Sequence, residues 1–153
     1  MQVALQALAD EPVAVIATLP ASAPAHLDVP ANARVARFIP HGPILDRAIC
    51  AITHGGMGAT QKALARGVPV CAVPFRRDQL EVARRVEVAG AGSRLPASRL
   101  RPDRLRAKVR EAMTMTEGAK RIREAFAATG GPPAAAGILQ ARLLTSQTPH
   151  TPA

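Results

Sequence analysis

The stretch ICAITHGGMGATQKALARGVPVCAVPFRRDQ, residues 49–79, decides the fold. Residues 49–53 are apolar and include β-branched side chains, the pattern of a short buried strand. Gly55, Gly56 and Gly58 break that strand and open a helix that runs to about Arg66. Gly67 stands where a helix end favours left-handed backbone. Residues 68–73 make a second buried strand, stopped by Pro74, and residues 79–89 carry a helical apolar pattern ended by Gly90 and Gly92. Strand, helix, strand and helix at this spacing predict a parallel sheet.

The same alternation extends outward. Residues 2–9 read as the end of a helix, and residues 13–19 (VAVIATL) as a strand buried on both faces. A Pro- and Ala-rich connector over 20–32 leads to a strand at 34–39 and one or two helical turns at 43–48. Beyond residue 92, Pro102 sits at a helix start, with helices over 103–113 and 117–127. Gly130-Gly131-Pro132-Pro133 is a break before a last helix at 134–144 and a polar tail. The fold class is therefore α/β, a Rossmann-like parallel sheet with helices on both faces and a helical C-terminal tail. The division is a domain over residues 1–130 and a C-terminal helix with its tail over 131–153.

Composition narrows the function classes. The chain has 153 residues, 48% of them hydrophobic and 20% charged, which suits one globular domain. It has three Phe and no Trp or Tyr, so Ala, Val, Leu and Ile must build the core. No apolar run approaches the roughly 18–20 residues of a membrane span, and Asp10 and Glu11 argue against a signal peptide, so the expected setting is cytoplasmic. Two Cys do not make a disulfide framework. The formal charge of +9 invites a nucleic-acid partner, but its Arg residues are interspersed with Ala and Pro rather than with base-stacking aromatics. No nucleic-acid partner is expected.

The chemistry gathers at the carboxyl ends of the strands, where open α/β sheets bind ligands. His54-Gly55-Gly56-Met57-Gly58-Ala59-Thr60 passes from a strand into a helix. A helix N-terminus has unpaired amides and a positive dipole end, and small residues let a phosphate approach. The alternative is a tight turn that uses Gly only for its backbone freedom. Asp78-Gln79 can bond sugar hydroxyls, or Asp78 can cap the following helix. Phe38-Ile39-Pro40-His41 puts an aromatic before a rigid turn, and Phe38 taken alone suits the core. Cys50 and Cys71 fall in strands as small hydrophobes, and no metal-ligand spacing is present. Ser22, Ser93, Ser98 and Ser146 lack the GxSxG elbow of a hydrolase.

Taken together, the order strand–FxPH–strand–THGGMG–helix–GVP–strand–PxxxDQ–helix resembles the nucleotide-sugar signature of inverting glycosyltransferases with the twin-Rossmann GT-B architecture. It is most similar to the bacterial UDP-glycosyltransferase family of natural-product glycosyltransferases, in its C-terminal donor-binding domain, over about residues 13–92. The resemblance implies that His54, Gly56 and the amides of Gly58, Ala59 and Thr60 hold the donor diphosphate. Phe38 would stack on the base, the Ile39 backbone would bond its edge, and His41 would lie near the ribose. Asp78 and Gln79 would bind the transferred sugar, and Met57 would be a spacer. Lys62 replaces the family's usual ribose-binding Glu, which leaves both UDP-sugar and dTDP-sugar open as donors.

The resemblance further implies a metal-independent transfer without cofactor, in which an acceptor hydroxyl displaces the nucleoside diphosphate at the anomeric carbon. The small-molecule acceptor, the catalytic base and the donor domain's first strand with its Gly-Ser turn would belong to the part of the enzyme ahead of Met1. None of His26, His41, His54 and His150 stands where that base would be. A catalytic residue is therefore not expected in this chain, which would be inactive alone. A lipid-linked sugar transferase of the same fold and a non-catalytic nucleotide-binding module are the alternatives, and a homodimer stays open.

Overall fold

A computed structural model describes residues 1–19 and 26–145. Part of the Pro- and Ala-rich connector, the polar tail, Ser22, Ser146 and His150 lie outside the described residues. The elements in chain order are α1 (Gln2–Leu8), β1 (Val15–Thr18), β2 (Ala33–Ala36), α2 (His41–Leu45), β3 (Ala51–Thr53), α3 (Met57–Leu64), β4 (Val70–Ala72), α4 (Asp78–Val88) and β5 (Gly92–Arg94). A 3-10 turn at Ala97–Arg99 then precedes α5 (Pro102–Met113), α6 (Thr116–Ala128) and α7 (Gly131–Thr145).

β4 is the centre of the molecule, and its residues are all buried. Side chains alternate across a strand, so β4 serves two cores. Val70 and Ala72 pack with Ala63 and Leu64 of α3, Ala83 and Val86 of α4, and Ala119 of α6. Cys71 and Val73 pack on the other face with Ala7 and Leu8 of α1 and Leu105, Val109 and Ala112 of α5. Helices thus cover both faces. Alanine at Ala7, Ala63, Ala83, Ala112 and Ala119 is fully buried, which lets the helices approach closely in a chain with few aromatics.

Strand pairing differs from a single continuous sheet. All pairs are parallel, but β1 and β2 form one sheet and β3, β4 and β5, in that order, form another. The expectation that residues 13–19 are buried on both faces is corrected: β1 is partly open, and Ile16 is 50% exposed. β5 is a strand that the sequence pattern does not announce, because Gly92-Ser93-Arg94 has no apolar run. Gly92 is required there, since a Cβ on it would fall against the Val70 backbone. The buried Ser93 hydroxyl donates to the Lys108 carbonyl at 2.6 Å, tying the strand to α5.

Several boundaries also move. β2 stops at Ala36, so Phe38 and Ile39 lie in the loop after it rather than in the strand. α2 starts at His41, two residues before the expected turns. α7 begins at Gly131 and runs through Pro132 and Pro133, because Pro is tolerated in a first helical turn. It leaves Ile138, Leu139 and Leu143 more than 60% exposed. Among the described residues, no helix is long and apolar enough to cross a membrane.

Candidate functional site

The candidate residues lie in the loops after β2, β3 and β4 and in the first turns of α2, α3 and α4 that follow them, except Lys62, which lies farther along α3. The turn from β3 into α3 is built around Thr53. The Gly55 amide donates to Thr53 Oγ1 at 2.9 Å, and that hydroxyl lies 3.4 Å from the Thr60 hydroxyl. Gly55 has φ 79°, and a Cβ on it would sit 2.9 Å from the Gln79 carbonyl oxygen. Glycine is therefore needed twice over, for the backbone angle and for the contact that brings the loops after β3 and β4 together. His54 is exposed and its imidazole folds over Gly56, where a Cβ would collide with the ring.

Gly56 is the N-cap residue of α3, without a side-chain cap. The first-turn amides of a helix have no intrahelical partner, so Met57, Gly58 and Ala59 present theirs outward. Thr60 does not. Its amide donates to the Gly56 carbonyl at 3.1 Å, and its buried hydroxyl faces Thr53. Of the expected amides of Gly58, Ala59 and Thr60, the first two are left without an intrahelical partner, as is that of Met57, while that of Thr60 is taken up within the helix. Thr60 supports the turn from inside. Gly58 differs from the other glycines of this turn. A Cβ added there meets nothing within 4 Å, so packing gives no reason for glycine at that position.

After β4, the loop 74–77 is held by Gln79. Its Oε1 accepts the Phe75 amide at 3.0 Å and the Arg76 amide at 3.3 Å. Only its Nε2 is left to face a ligand. Asp78 is exposed in the first turn of α4 and is not the cap; Arg77 holds the N-cap position, with φ 54°. Arg77 is the one non-glycine residue with positive φ among the described residues. Such backbone costs about 1–3 kcal/mol and persists where surrounding structure demands it. Nothing in residue spacing signals it.

The loop after β2 places Phe38 81% exposed, which overturns the core assignment of that ring. Ile39 is half-buried beside it. His41 Nε2 lies 3.2 Å from Thr18 Oγ1, joining the carboxyl ends of β1 and β2. α2 is fastened to the end of α3 by Asp46 and Arg66 at 2.9 Å. Lys62 is exposed in the last turn of α3, and Met57 is 44% exposed rather than core.

Other groups are inert or lie elsewhere. Burial pushes the Cys50 thiol up to about 12 and raises that of Cys71, so neither is a ready nucleophile. Among the described residues no three His, Cys, Asp or Glu side chains gather as a metal site would need. A concavity of about 700 Å³ lined by Glu87, Arg94, Arg99, Arg104 and Lys108 lies between α4 and α5, away from these loops. Glu87 pairs with Arg94 and Glu111 with Lys108, which blunts its charge.

Known proteins bear on this geometry. Residues 2–142 match the family described as erythromycin biosynthesis protein CIII-like, C-terminal domain. The chain is 40% identical over 129 residues to 4'-demethylrebeccamycin synthase of Lentzea aerocolonigenes, covering 82% of this chain and 30% of that protein. It is 41% identical over 130 residues to a PGL/p-HBAD biosynthesis glycosyltransferase of Mycobacterium tuberculosis, again 82% of this chain and 30% of the relative. The chain therefore spans about 30% of the length of these curated relatives. Among solved structures, the calicheamicin glycosyltransferase CalG4 superposes with TM-score 0.87 at 30% identity, over 95% of this chain and 40% of that one. The glycosyltransferase VinC, solved in complex with dTDP, superposes with TM-score 0.73 at 31% identity, over 80% of this chain and 32% of that one. The parallel α/β architecture is that of the C-terminal domain of GT-B glycosyltransferases. By sequence over nearly its whole length and by fold, this chain belongs to the erythromycin biosynthesis protein CIII-like C-terminal domain family.

Proposed function

We propose that this chain binds the nucleoside diphosphate-sugar donor of an inverting glycosyltransferase that transfers a hexose to a hydroxyl of a small natural-product acceptor. The single observation that carries this reading is the first turn of α3. It presents three outward amides and an exposed His54, with a glycine at Gly58 that packing does not require. A diphosphate explains that glycine, because an anion seated on amides needs the space a Cβ would take.

The remaining roles follow from what each side chain can offer. Phe38 is free to stack on the base, with the Ile39 backbone at its edge. His41 reaches toward the ribose from the Thr18 side. Asp78 accepts and Gln79 Nε2 donates to hydroxyls of the transferred sugar. Lys62, a cation, cannot accept ribose hydroxyls and instead adds charge beside the diphosphate. In the reaction the acceptor oxygen bonds to the anomeric carbon while the bond from that carbon to the diphosphate oxygen breaks. The acceptor proton goes to a base on a part of the enzyme outside this chain. His54 and the α3 amides stabilise the charge that grows on the leaving diphosphate. No metal or cofactor is assigned a part.

Calorimetry on the purified chain tests the reading with UDP, dTDP, uridine and thymidine. The diphosphates are expected to bind clearly tighter than the nucleosides. Equal affinities would remove the cradle and the proposal with it. Incubation with donor and acceptor is expected to give no transfer by this chain alone.

A further inference from the structure

The concavity of about 700 Å³ between α4 and α5 is lined by Arg94 at the end of β5, Arg99 of the 3-10 turn, Arg104 and Lys108 of α5, and Glu87 of α4. Four cationic side chains therefore line it against one carboxylate, and the rest of the wall is apolar. That carboxylate is already shared. Glu87 Oε2 accepts from Arg94 at 3.2 Å and from Arg84 at 3.4 Å, so one negative charge is divided between two guanidinium groups. Lys108 Nζ donates to Glu111 Oε2 at 2.6 Å, one turn along the same helix. The side chains of Arg99 and Arg104 have no hydrogen-bond or ion-pair partner among the described residues. Pairing thus blunts Arg94 and Lys108 and leaves the other two cations whole.

Stability does not account for this arrangement. Arg104 and Lys108 stand i,i+4 on α5, a spacing at which like charges repel. Arg104 is also in the first turn of α5, where the helix dipole disfavours a cation. The acid of that turn, Asp103, does not compensate, because it pairs with Arg101 at 3.4 Å. Arg99 and Arg104 are exposed, so burial gives no reason for either. Charges that oppose the local preference and gain no partner in the protein are expected where a ligand completes the balance.

We propose that this concavity is an anion site, separate from the candidate donor site, that takes a small ligand carrying two or more phosphate groups. Arg99 and Arg104 offer free guanidinium forks, which match phosphate oxygens two at a time. Arg94 and Lys108 add positive charge from the opposite sides of the hollow. A phosphate group carries about −1.5 to −2 charge at neutral pH, so two of them balance the cations that Glu87 leaves over, and one carboxylate does not. The volume falls among those of small-molecule sites, roughly 300–1,000 Å³. A single strand of nucleic acid is a poorer occupant, because the lining has no aromatic on which bases would stack. The site lies away from the loops after β2, β3 and β4, so it stands whether or not a donor binds there.

The test adds inorganic triphosphate to the full chain, reading amide chemical shifts residue by residue and affinity by calorimetry, with citrate as the polycarboxylate comparator. Amides between Arg94 and Lys108 are expected to shift. The double variant Arg99→Gln, Arg104→Gln is expected to bind about tenfold more weakly or worse, having lost two charged hydrogen-bond donors. It should melt no lower than the parent chain, since neither side chain has a partner to lose. Glu87→Gln removes the opposing carboxylate and is expected to bind several-fold tighter. Triphosphate also suits the first turn of α3, and the position of the shifts separates the two sites. Shifts confined to residues 56–60 would overturn the anion site and leave the donor reading standing; shifts confined to residues 94–108 would do the reverse. Equal affinity of the double variant and the parent overturns the site, as does citrate binding as tightly as triphosphate. A thymidine oligonucleotide that shifts the same amides with an affinity rising with its length would also overturn it, in favour of a nucleic-acid surface.

Discussion

Replacing Gly58 by alanine sets stability against binding at one atom. Gly58 is the second residue of α3, and a Cβ there would touch nothing in the protein. Alanine is favoured over glycine in a helix by about 0.8–1.0 kcal/mol, less near the first turn. Gly58→Ala should therefore stabilise the chain by up to about 1 kcal/mol, raising Tm by about 2–4 °C for a domain of this size. The same methyl stands over the amides that the donor diphosphate is proposed to occupy. A hydrogen bond to a charged group contributes about 1.5–3 kcal/mol, and losing one is about a tenfold loss of affinity or more. Thermal melts and calorimetry with dTDP and UDP read both effects on the same preparation. Gly137→Ala on α7, equally free of neighbours, is the control and should leave affinity unchanged. If Gly58→Ala lowers Tm, the open space above α3 is wrong; if it raises Tm and binds nucleotide as before, the cradle is elsewhere.

Arg77→Gly should relieve the positive φ before α4 and raise stability by about 1 kcal/mol, measured by urea denaturation; a loss would mean the arginine side chain holds the loop. Gly118→Ala should be costly, about 1–3 kcal/mol, because its Cβ would run into the Gly90 carbonyl where α6 meets the end of α4. Lys62→Glu should weaken diphosphate binding several-fold at most while sharpening discrimination between ribose and 2′-deoxyribose donors, and an unchanged UDP-to-dTDP ratio would place Lys62 outside the site. The Glu11 carboxyl is held below its usual range, first by hydrogen bonds from Arg110 at 2.7 and 3.1 Å and then by the charges of Arg110 and Arg106. Its stabilising contribution is present above the ordinary carboxylate pKa and is lost as pH falls through the lowered one, so Glu11→Gln should flatten the acid limb of a stability–pH curve.

Much of this was legible from residue order alone. The alternation of apolar runs with helical patterns, punctuated by Gly55, Gly67 and Pro74, dictates a parallel α/β fold, because those signals are local and depend on spacing. The candidate loops are legible for the same reason, since ligands of such folds gather at the strands' carboxyl ends. What tertiary structure decided is which of those residues remain free. Thr60 looks like Gly58 and Ala59 in the sequence, yet one turn of helix consumes its amide and Thr53 faces its hydroxyl. Gln79 spends its oxygen on the loop beside it, and Phe38, suited to a core, stands in solvent because β2 ends at Ala36. Gly92-Ser93-Arg94 becomes a strand only because β4 lies beside it. That β1 and β3 fall in separate sheets has no local signal at all. VAVIATL reads as a strand buried on both sides, and only the order of strands in space reveals that one of its edges is unpaired.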